Sequence, residues 1–264
     1  MNRASPIAAM TLDAVPIWLT FVGALVGILV SEELGYRFGR WRRLRQEPEQ
    51  EAPVGGIVGA ELGLLAFMLA FVFGVAASRF DERRKLMIDE ANAIGTTYLR
   101  AGFLASPHRE TARQILRDYL DVRLNAIRSQ FLGDTLEQSQ KLQDRLWAEA
   151  AAVMAKEPQS HAAALFVQTT NDVIDIHAKR VNALFWSRLP ITVWGVLALI
   201  AGLSFASLGY QTGLSGKPRS PAVVGMALTF AAVLWMVIDL ERPLEGMLRV
   251  NPQPLIELRQ TMAP

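Results

Sequence analysis

One apolar run and the charged run directly after it decide how this chain is read. Residues 57–77, IVGAELGLLAFMLAFVFGVAA, contain a single charge, Glu61, and residues 78–85, SRFDERRK, follow at once. A helix needs about 17 to 25 predominantly apolar residues to cross a hydrocarbon core of about 30 Å. Since backbone groups inside a bilayer must be hydrogen-bonded within the segment, the run predicts a membrane-spanning helix that ends in a basic, water-exposed stretch.

Three further apolar runs meet the same length requirement. They cover about residues 14–30, 189–208 and 222–238, and none contains a charge. Signal-peptide cleavage of the first run is the alternative, but only Arg3 precedes it and Ser31 begins a poor cleavage site, so an uncleaved helix is favoured. The sequence predicts an all-α integral membrane protein with four spans, two before and two after a long charged segment.

The charged segment predicts further helices. Apolar residues recur three, four and seven apart, the pattern of an amphipathic helix with one buried face; they are Ile115, Leu116, Tyr119, Leu120, Leu124, Ile127 and Phe131. We expect the second span to continue to about Phe103, and helices at about 107–132, 134–156 and 159–188. The predicted organisation is a first span pair with an arginine-rich loop (1–77), a helical extramembrane domain (78–188), a second span pair (189–238) and a C-terminal tail (239–264).

Composition argues against several function classes. The chain has no cysteine, three histidines and a net charge of +2, so thiol chemistry is excluded and a basic nucleic-acid-binding face is not indicated. No phosphate-binding loop, nucleophile elbow or spaced metal-ligand motif occurs. His177, between Asp175 and Lys179, is interpreted as packed or solvated. We therefore expect neither an enzyme nor a cofactor or resident metal.

The second span carries the candidate functional residues. Glu61 is the one carboxylate inside a span, where it serves a polar site or reaches out to water from about one turn inside the interface. Gly63, Phe67 and Phe71, continued by Val75, form an i, i+4 stripe that faces lipid, packs on a neighbour or converges on an oligomer axis as a constriction. Rows of small residues beside the stripe would let helices approach closely.

Two motifs resemble those of a known family. Ser78–Lys85, with Arg79, Glu82, Arg84 and Lys85, is similar to the R-F-x-E-x-R-K run of bacterial bestrophins, and Asp239–Gly246 is similar to their acidic stretch after the fourth helix. Residues 89–101, DEANAIGTTYLRA, and the proline-rich 250–255 resemble the bestrophin-like domain-of-unknown-function family of bacterial membrane proteins. The resemblance covers most of the chain.

The resemblance implies a bestrophin architecture and function. Bestrophins are pentameric anion channels whose second helix lines the pore and forms a narrow apolar neck. The neck positions would correspond to Gly63, Phe67 and Phe71. The resemblance therefore implies a homo-oligomer in the lipid bilayer, a pentamer as in bestrophins proper, that conducts an inorganic anion. The alternative is a membrane-anchored interaction or regulatory protein without transport activity.

The two sources of evidence on orientation disagree. Arginines at 37, 40, 42, 43 and 45, with Lys217 and Arg219, favour cytoplasmic short loops, whereas the family architecture implies a cytosolic central domain. The charge count is itself divided, because Arg79, Arg83, Arg84 and Lys85 follow the second span, and the family architecture is therefore preferred. We expect a multi-pass protein of the bacterial inner membrane with a cytosolic central domain.

Overall fold

Helices make up nearly all of the chain that the structure describes. The computed structural model describes residues 15–45, 51–129, 132–185, 188–216, 220–242 and 246–262, and no strand occurs in those ranges. The helices are α1 (Ile17–Arg45), α2 (Glu51–Ala101), α3 (His108–Ser129), α4 (Leu132–Lys156), α5 (His161–Phe185), α6 (Ile191–Ser215), α7 (Ala222–Glu241) and α8 (Gln253–Thr261). The all-α fold class is confirmed, and α3 to α5 lie within a few residues of the predicted helices.

Within the described residues, four helices are long and apolar enough to cross a membrane, namely α1, α2, α6 and α7. The arginine-rich loop predicted at residues 31–56, between the first two spans, is wrong for the described residues of that range, because α1 continues without a break from the apolar run to Arg45 and α2 begins at Glu51. Charges end an apolar run but not a helix, since arginine has a high helix propensity. Residues 46–50 of this predicted loop lie outside the described residues.

The chain divides into two compact units, which we call the spanning unit and the helical unit. The spanning unit comprises the residues up to Arg79 and Arg188–Leu248, and the helical unit comprises Phe80–Ser187 with the residues from Arg249 onward. Helix α2 contributes its N-terminal part to the first and its C-terminal part to the second.

Glycine allows close helix packing in the spanning unit. Helix α1 packs along α6 and also contacts α7. At Gly35, Gly39, Gly209 and Gly213 an added Cβ would collide with backbone of the facing helix. Since only a residue without a side chain fits such a contact, these glycines hold the α1 and α6 backbones against each other.

The helical unit has its own apolar core. The predicted stripe on α3 is confirmed where it is described, with Ile115, Leu116, Tyr119 and Leu120 buried; Ile127 and Phe131 lie outside the described side chains. The core also includes Leu255 of α8 and Met262 just after it. The end of the chain, expected to be a tail, thus contributes a short helix to this core. Its nine residues are too few for a clear periodic pattern, so tertiary burial defines it.

Candidate functional site

The spanning part of α2 has one face packed within its own chain. Val58, Leu65, Leu69, Val72 and Ala76 are each at most 3% exposed. They recur at helical spacing and form a single buried arc. This arc fixes the rotation of α2 in the spanning unit and therefore determines which side chains point away from the chain.

The predicted stripe lies on the opposite face. Phe67 is 67% exposed and Phe71 is 62% exposed, and an added Cβ at Gly63 would meet no atom within 4 Å. At about 100° per residue, the three positions lie within about 80° of arc. The structure thus aligns Gly63, Phe67 and Phe71 on one apolar face that nothing in the described part of the chain covers.

A second exposed face, formed by small residues, lies beside the stripe. Gly59, Ala66, Ala70 and Gly74 are all exposed, and an added Cβ at Gly59 or Gly74 also meets nothing. A face of this kind lets another helix approach closely in a membrane. The two faces together give α2 an aromatic ridge and an adjacent flat surface.

Glu61 lies between the buried arc and the exposed stripe. On a helical projection it is about 120° from Phe67, so it does not belong to the aromatic stripe. Glu61 as a whole is half-buried. Its Oε2 atom is shielded from solvent and has no hydrogen-bond partner in the described part of the chain. The sequence singled out Glu61 as the one carboxylate inside a span, and the structure places it at the edge of the internal packing face.

The basic motif begins with an ion pair inside the spanning unit. Nη1 of Arg79 lies 3.3 Å from Oε2 of Glu241, and the same oxygen accepts a hydrogen bond of 2.9 Å from the backbone N–H of Leu189. Glu241 is thus the shared acceptor for the end of the α2 span and for the backbone two residues before α6. Three elements of the spanning unit meet at one carboxylate.

Asp239, the other described carboxylate of the acidic stretch, caps a turn. Its two oxygens accept hydrogen bonds of 2.8 and 2.9 Å from the backbone N–H groups of Met247 and Leu248. Arg242 donates a 2.7 Å hydrogen bond to the carbonyl of Val15. Among the described residues no group of three His, Asp or Glu side chains could hold a metal ion. Glu245 lies outside those residues.

The remaining motif residues belong to the helical unit. Glu82, Arg84 and Lys85 are all exposed on α2. The structure therefore separates the motif: Arg79 is tied to α7, whereas these three side chains are directed to the surface of the helical unit.

The helical unit contains a buried ionic cluster that was not predicted from the sequence. Glu90 of α2 has no exposed surface, and its carboxylate pairs with Arg123 of α3 at 3.0 Å and with Arg180 of α5. Both arginines are under 10% exposed. We call this group, with Tyr119 and His177, the Glu90 cluster.

Tyr119 links the charged members of the cluster to neutral ones. Its hydroxyl lies 3.2 Å from Glu90, 3.0 Å from Nδ1 of His177 and 3.3 Å from the amide of Gln143, which donates to it. If the hydroxyl donates its proton to Glu90, it can only accept a hydrogen bond from His177, and Nδ1 of His177 must then be protonated. The Tyr119 hydroxyl thus contacts three side chains, and with Tyr119 itself the four residues come from four helices.

Burial shifts the pKa values of the cluster. It lowers the pKa of Arg180 to about 10 and also lowers the pKa of Arg123. Burial, followed by the charge of Arg123, lowers the pKa of His177 to about 4, so this imidazole is neutral at pH 7. Burial also raises the pKa of Tyr119. The cluster holds two guanidinium groups, one carboxylate and two neutral rings.

A signal for this cluster was present in the sequence. Arg123 falls four residues after Tyr119, on the apolar stripe of α3, where a charged residue has to be paired. Glu90 and Arg180 could not be identified as its partners, because they come from helices whose contacts only the fold defines. His177, interpreted from the sequence as packed or solvated, is packed in the structure.

The family of the chain follows from its sequence over most of its length. A family model described as a bestrophin-like domain matches residues 24–255. The chain belongs to the bestrophin-like family. No curated protein matches the chain in sequence.

Solved structures agree with the bestrophin-like fold. A bacterial bestrophin homologue from Klebsiella pneumoniae is 17% identical, with a TM-score of 0.64 over 94% of this chain and 96% of that one. A variant of that homologue with one tryptophan replaced by alanine is 15% identical and has a TM-score of 0.67 over the same shares. A membrane protein with a serine-to-alanine substitution is 16% identical, with a TM-score of 0.61 over 93% of this chain and 94% of that one. At these identities the likeness concerns the fold.

Proposed function

We propose that this bestrophin-like chain is the subunit of a homo-oligomeric ion channel whose pore is lined by α2. The observation that carries the proposal is the uncovered aromatic stripe, with Phe67 and Phe71 about two-thirds exposed on the face opposite the internal packing of α2. In a ring of subunits such a stripe forms an apolar constriction on the axis.

The small-residue face supports the same arrangement. Gly59, Ala66, Ala70 and Gly74 are exposed beside the stripe, and small residues are the usual surface for close helix contact in membranes. If neighbouring subunits pack on this face, Phe67 and Phe71 turn toward the axis. We propose a pentamer, the number found in bestrophins proper.

An inorganic anion is the proposed permeant ion. The edge of an aromatic ring carries partial positive charge, so a ring of phenylalanine edges gives an anion a weak electrostatic partner. Glu61 lies about 120° around the helix from Phe67 and would not place its carboxylate on the axis. In an oligomer, Gly63, Phe67 and Phe71 would each form one ring of side chains around the axis. The ring at Gly63 is the widest of these, because glycine has no side chain.

Chloride flux into liposomes tests this proposal. We expect the reconstituted protein to conduct chloride and Phe71→Ala or Phe67→Ala to increase the rate severalfold by widening the constriction. Leu203→Ala, which truncates a similarly exposed side chain on α6, is the matched control and should leave the rate unchanged. An oligomer that passes no chloride in any of these forms would instead support a membrane-anchored interaction or regulatory protein.

We further propose that the helical unit is the extramembrane domain and lies in the cytosol of a bacterial inner-membrane protein. The family architecture supports this orientation. A reporter fused after Pro264 tests it. Activity of a cytosolic reporter supports the assignment, and activity of a periplasmic reporter reverses it.

A further inference from the structure

We propose that the last turns of α1, residues 37–45, bind the headgroups of anionic phospholipids. This arginine-aromatic segment combines exposed guanidinium groups with exposed aromatic and aliphatic side chains on one continuous helix. The proposal concerns lipid recognition by the spanning unit and does not depend on ion conduction.

The length of α1 places this segment at headgroup depth. The helix has 29 residues, which at 1.5 Å per residue is about 44 Å, whereas the hydrocarbon core is about 30 Å thick. Its exposed apolar side chains begin near Trp18 and continue to Leu44, which is 70% exposed. Since arginine is expelled from the hydrocarbon core, the arginine-bearing end is the one that extends into the interface.

An aromatic group anchors the segment at that depth. Phe38 stacks on Trp41 with ring centroids 5.7 Å apart, and it contacts Tyr210 of α6 at 5.6 Å. Trp41 is 47% exposed. Tryptophan and tyrosine favour the membrane interface, where an apolar ring and a polar edge are both accommodated. The group therefore fixes the depth at which the neighbouring arginines lie.

The arginines of the segment have different roles. Arg42 donates a 2.8 Å hydrogen bond to the hydroxyl of Tyr210, which ties it to α6, and Arg37 pairs with Glu33 at 2.7 Å. Arg40 and Arg45 are exposed beside Trp41, and the guanidinium carbon of Arg45 lies 5.2 Å from the centre of the Trp41 ring. Arg40 and Arg45 are consequently the residues presented outward at the interface.

Charge complementarity identifies the occupant as an anionic phospholipid. A guanidinium group donates two parallel hydrogen bonds to a phosphate diester, and a lipid with net negative charge adds an attraction that a zwitterionic lipid lacks. A lipid also brings acyl chains to the exposed Phe38 and Leu44 side chains next to the arginines. A soluble phosphate compound would leave these apolar side chains uncovered, and a second copy of the segment would oppose arginine with arginine.

Lipid selectivity of the full-length protein tests the proposal. The protein is reconstituted in phosphatidylcholine, and its preference for spin-labelled phosphatidylglycerol over spin-labelled phosphatidylcholine is measured by electron paramagnetic resonance. We expect the wild type to prefer phosphatidylglycerol, and Arg40→Gln with Arg45→Gln to reduce that preference about 5-fold per arginine removed.

Two further variants make the result specific. Arg40→Lys with Arg45→Lys retains the charge and should retain most of the preference. Arg145→Gln with Lys156→Gln removes two exposed charges from the helical unit and should leave the preference unchanged. The proposal is overturned if the two arginine-to-glutamine changes leave the preference intact. It is equally overturned if the control pair lowers the preference as much, or if soluble glycerol phosphate displaces the lipid.

Discussion

The carboxylate of Glu90 lies 3.0 Å from Nε of Arg123 in an interior where Glu90 has no exposed surface. Arg180 forms an ion pair with the second oxygen of the same carboxylate. Removing a buried counter-charge leaves the remaining charges without compensation, which costs more than the pair contributed when intact. The helical unit therefore depends on one carboxylate to hold two arginines in its core.

Replacement of this carboxylate should destabilise the protein strongly. We expect Glu90→Gln to lower the free energy of unfolding by about 3–5 kcal/mol, because both arginines lose their counter-charge. Asp89→Asn, the same type of change at the exposed neighbouring position, should have an effect below about 0.5 kcal/mol. Thermal unfolding of the purified protein in detergent measures both. Equal effects at positions 89 and 90 would contradict the role assigned to the cluster.

Acidification should weaken the helical unit through His177. The folded protein lowers the pKa of His177 to about 4, from an ordinary value of 6.5. Between these values the unfolded chain binds a proton that the folded chain does not, so stability is lost as the pH falls from about 6.5 to about 4. The loss attributable to this residue amounts to about 3 kcal/mol.

His177→Asn tests this pH dependence, because an asparagine amide places a polar atom near the position of Nδ1 and does not titrate. The variant should have a shallower decline of melting temperature between pH 7 and pH 4.5 than the wild type. His161→Asn, at an exposed histidine at the start of α5, should retain the wild-type slope. A His177→Asn protein that declines as steeply as the wild type would rule out His177 as the source.

The ion pair between Arg79 and Glu241 should contribute to the stability of the spanning unit. The Arg79 side chain is largely shielded, and its Nη1 contacts both carboxylate oxygens at 3.3 and 3.4 Å. We expect Arg79→Gln to cost about 1–2 kcal/mol of unfolding free energy, since a hydrogen bond to a charged group is worth more than a neutral one. Arg84→Gln, an exposed arginine in the same motif, is the control and should be nearly silent. Detergent unfolding of the two proteins distinguishes them.

Features that depend on residues within one helix could be predicted from the sequence, whereas features that depend on contacts between distant helices could not. Each span follows from an apolar run, and the shared face of Phe67 and Phe71 follows from their i, i+4 spacing. Both patterns are visible in the sequence without a structure. The sequence around Arg123 indicates only that a charged residue lies on an apolar stripe and has to be paired. Its partner Glu90 lies 33 positions earlier, so no local pattern connects the two. Leu255 becomes a core residue because the fold brings a short helix onto α3 and α2, a tertiary effect without a local pattern.

Close packing of α1 on α6 predicts a sharp difference between two glycines of α6. A Cβ at Gly209 would lie 2.8 Å from the backbone nitrogen of Tyr36, a contact that no side-chain rotation relieves, whereas a Cβ at Gly195 meets nothing within 4 Å. We expect Gly209→Ala to destabilise the spanning unit by about 1–3 kcal/mol through forced separation of the two backbones. Gly195→Ala should be neutral or stabilising by up to about 1 kcal/mol, because alanine is the better helix former. Melting temperatures in one detergent, at one protein concentration, give the comparison. If Gly209→Ala melts with or above Gly195→Ala, the helices do not rely on this glycine contact.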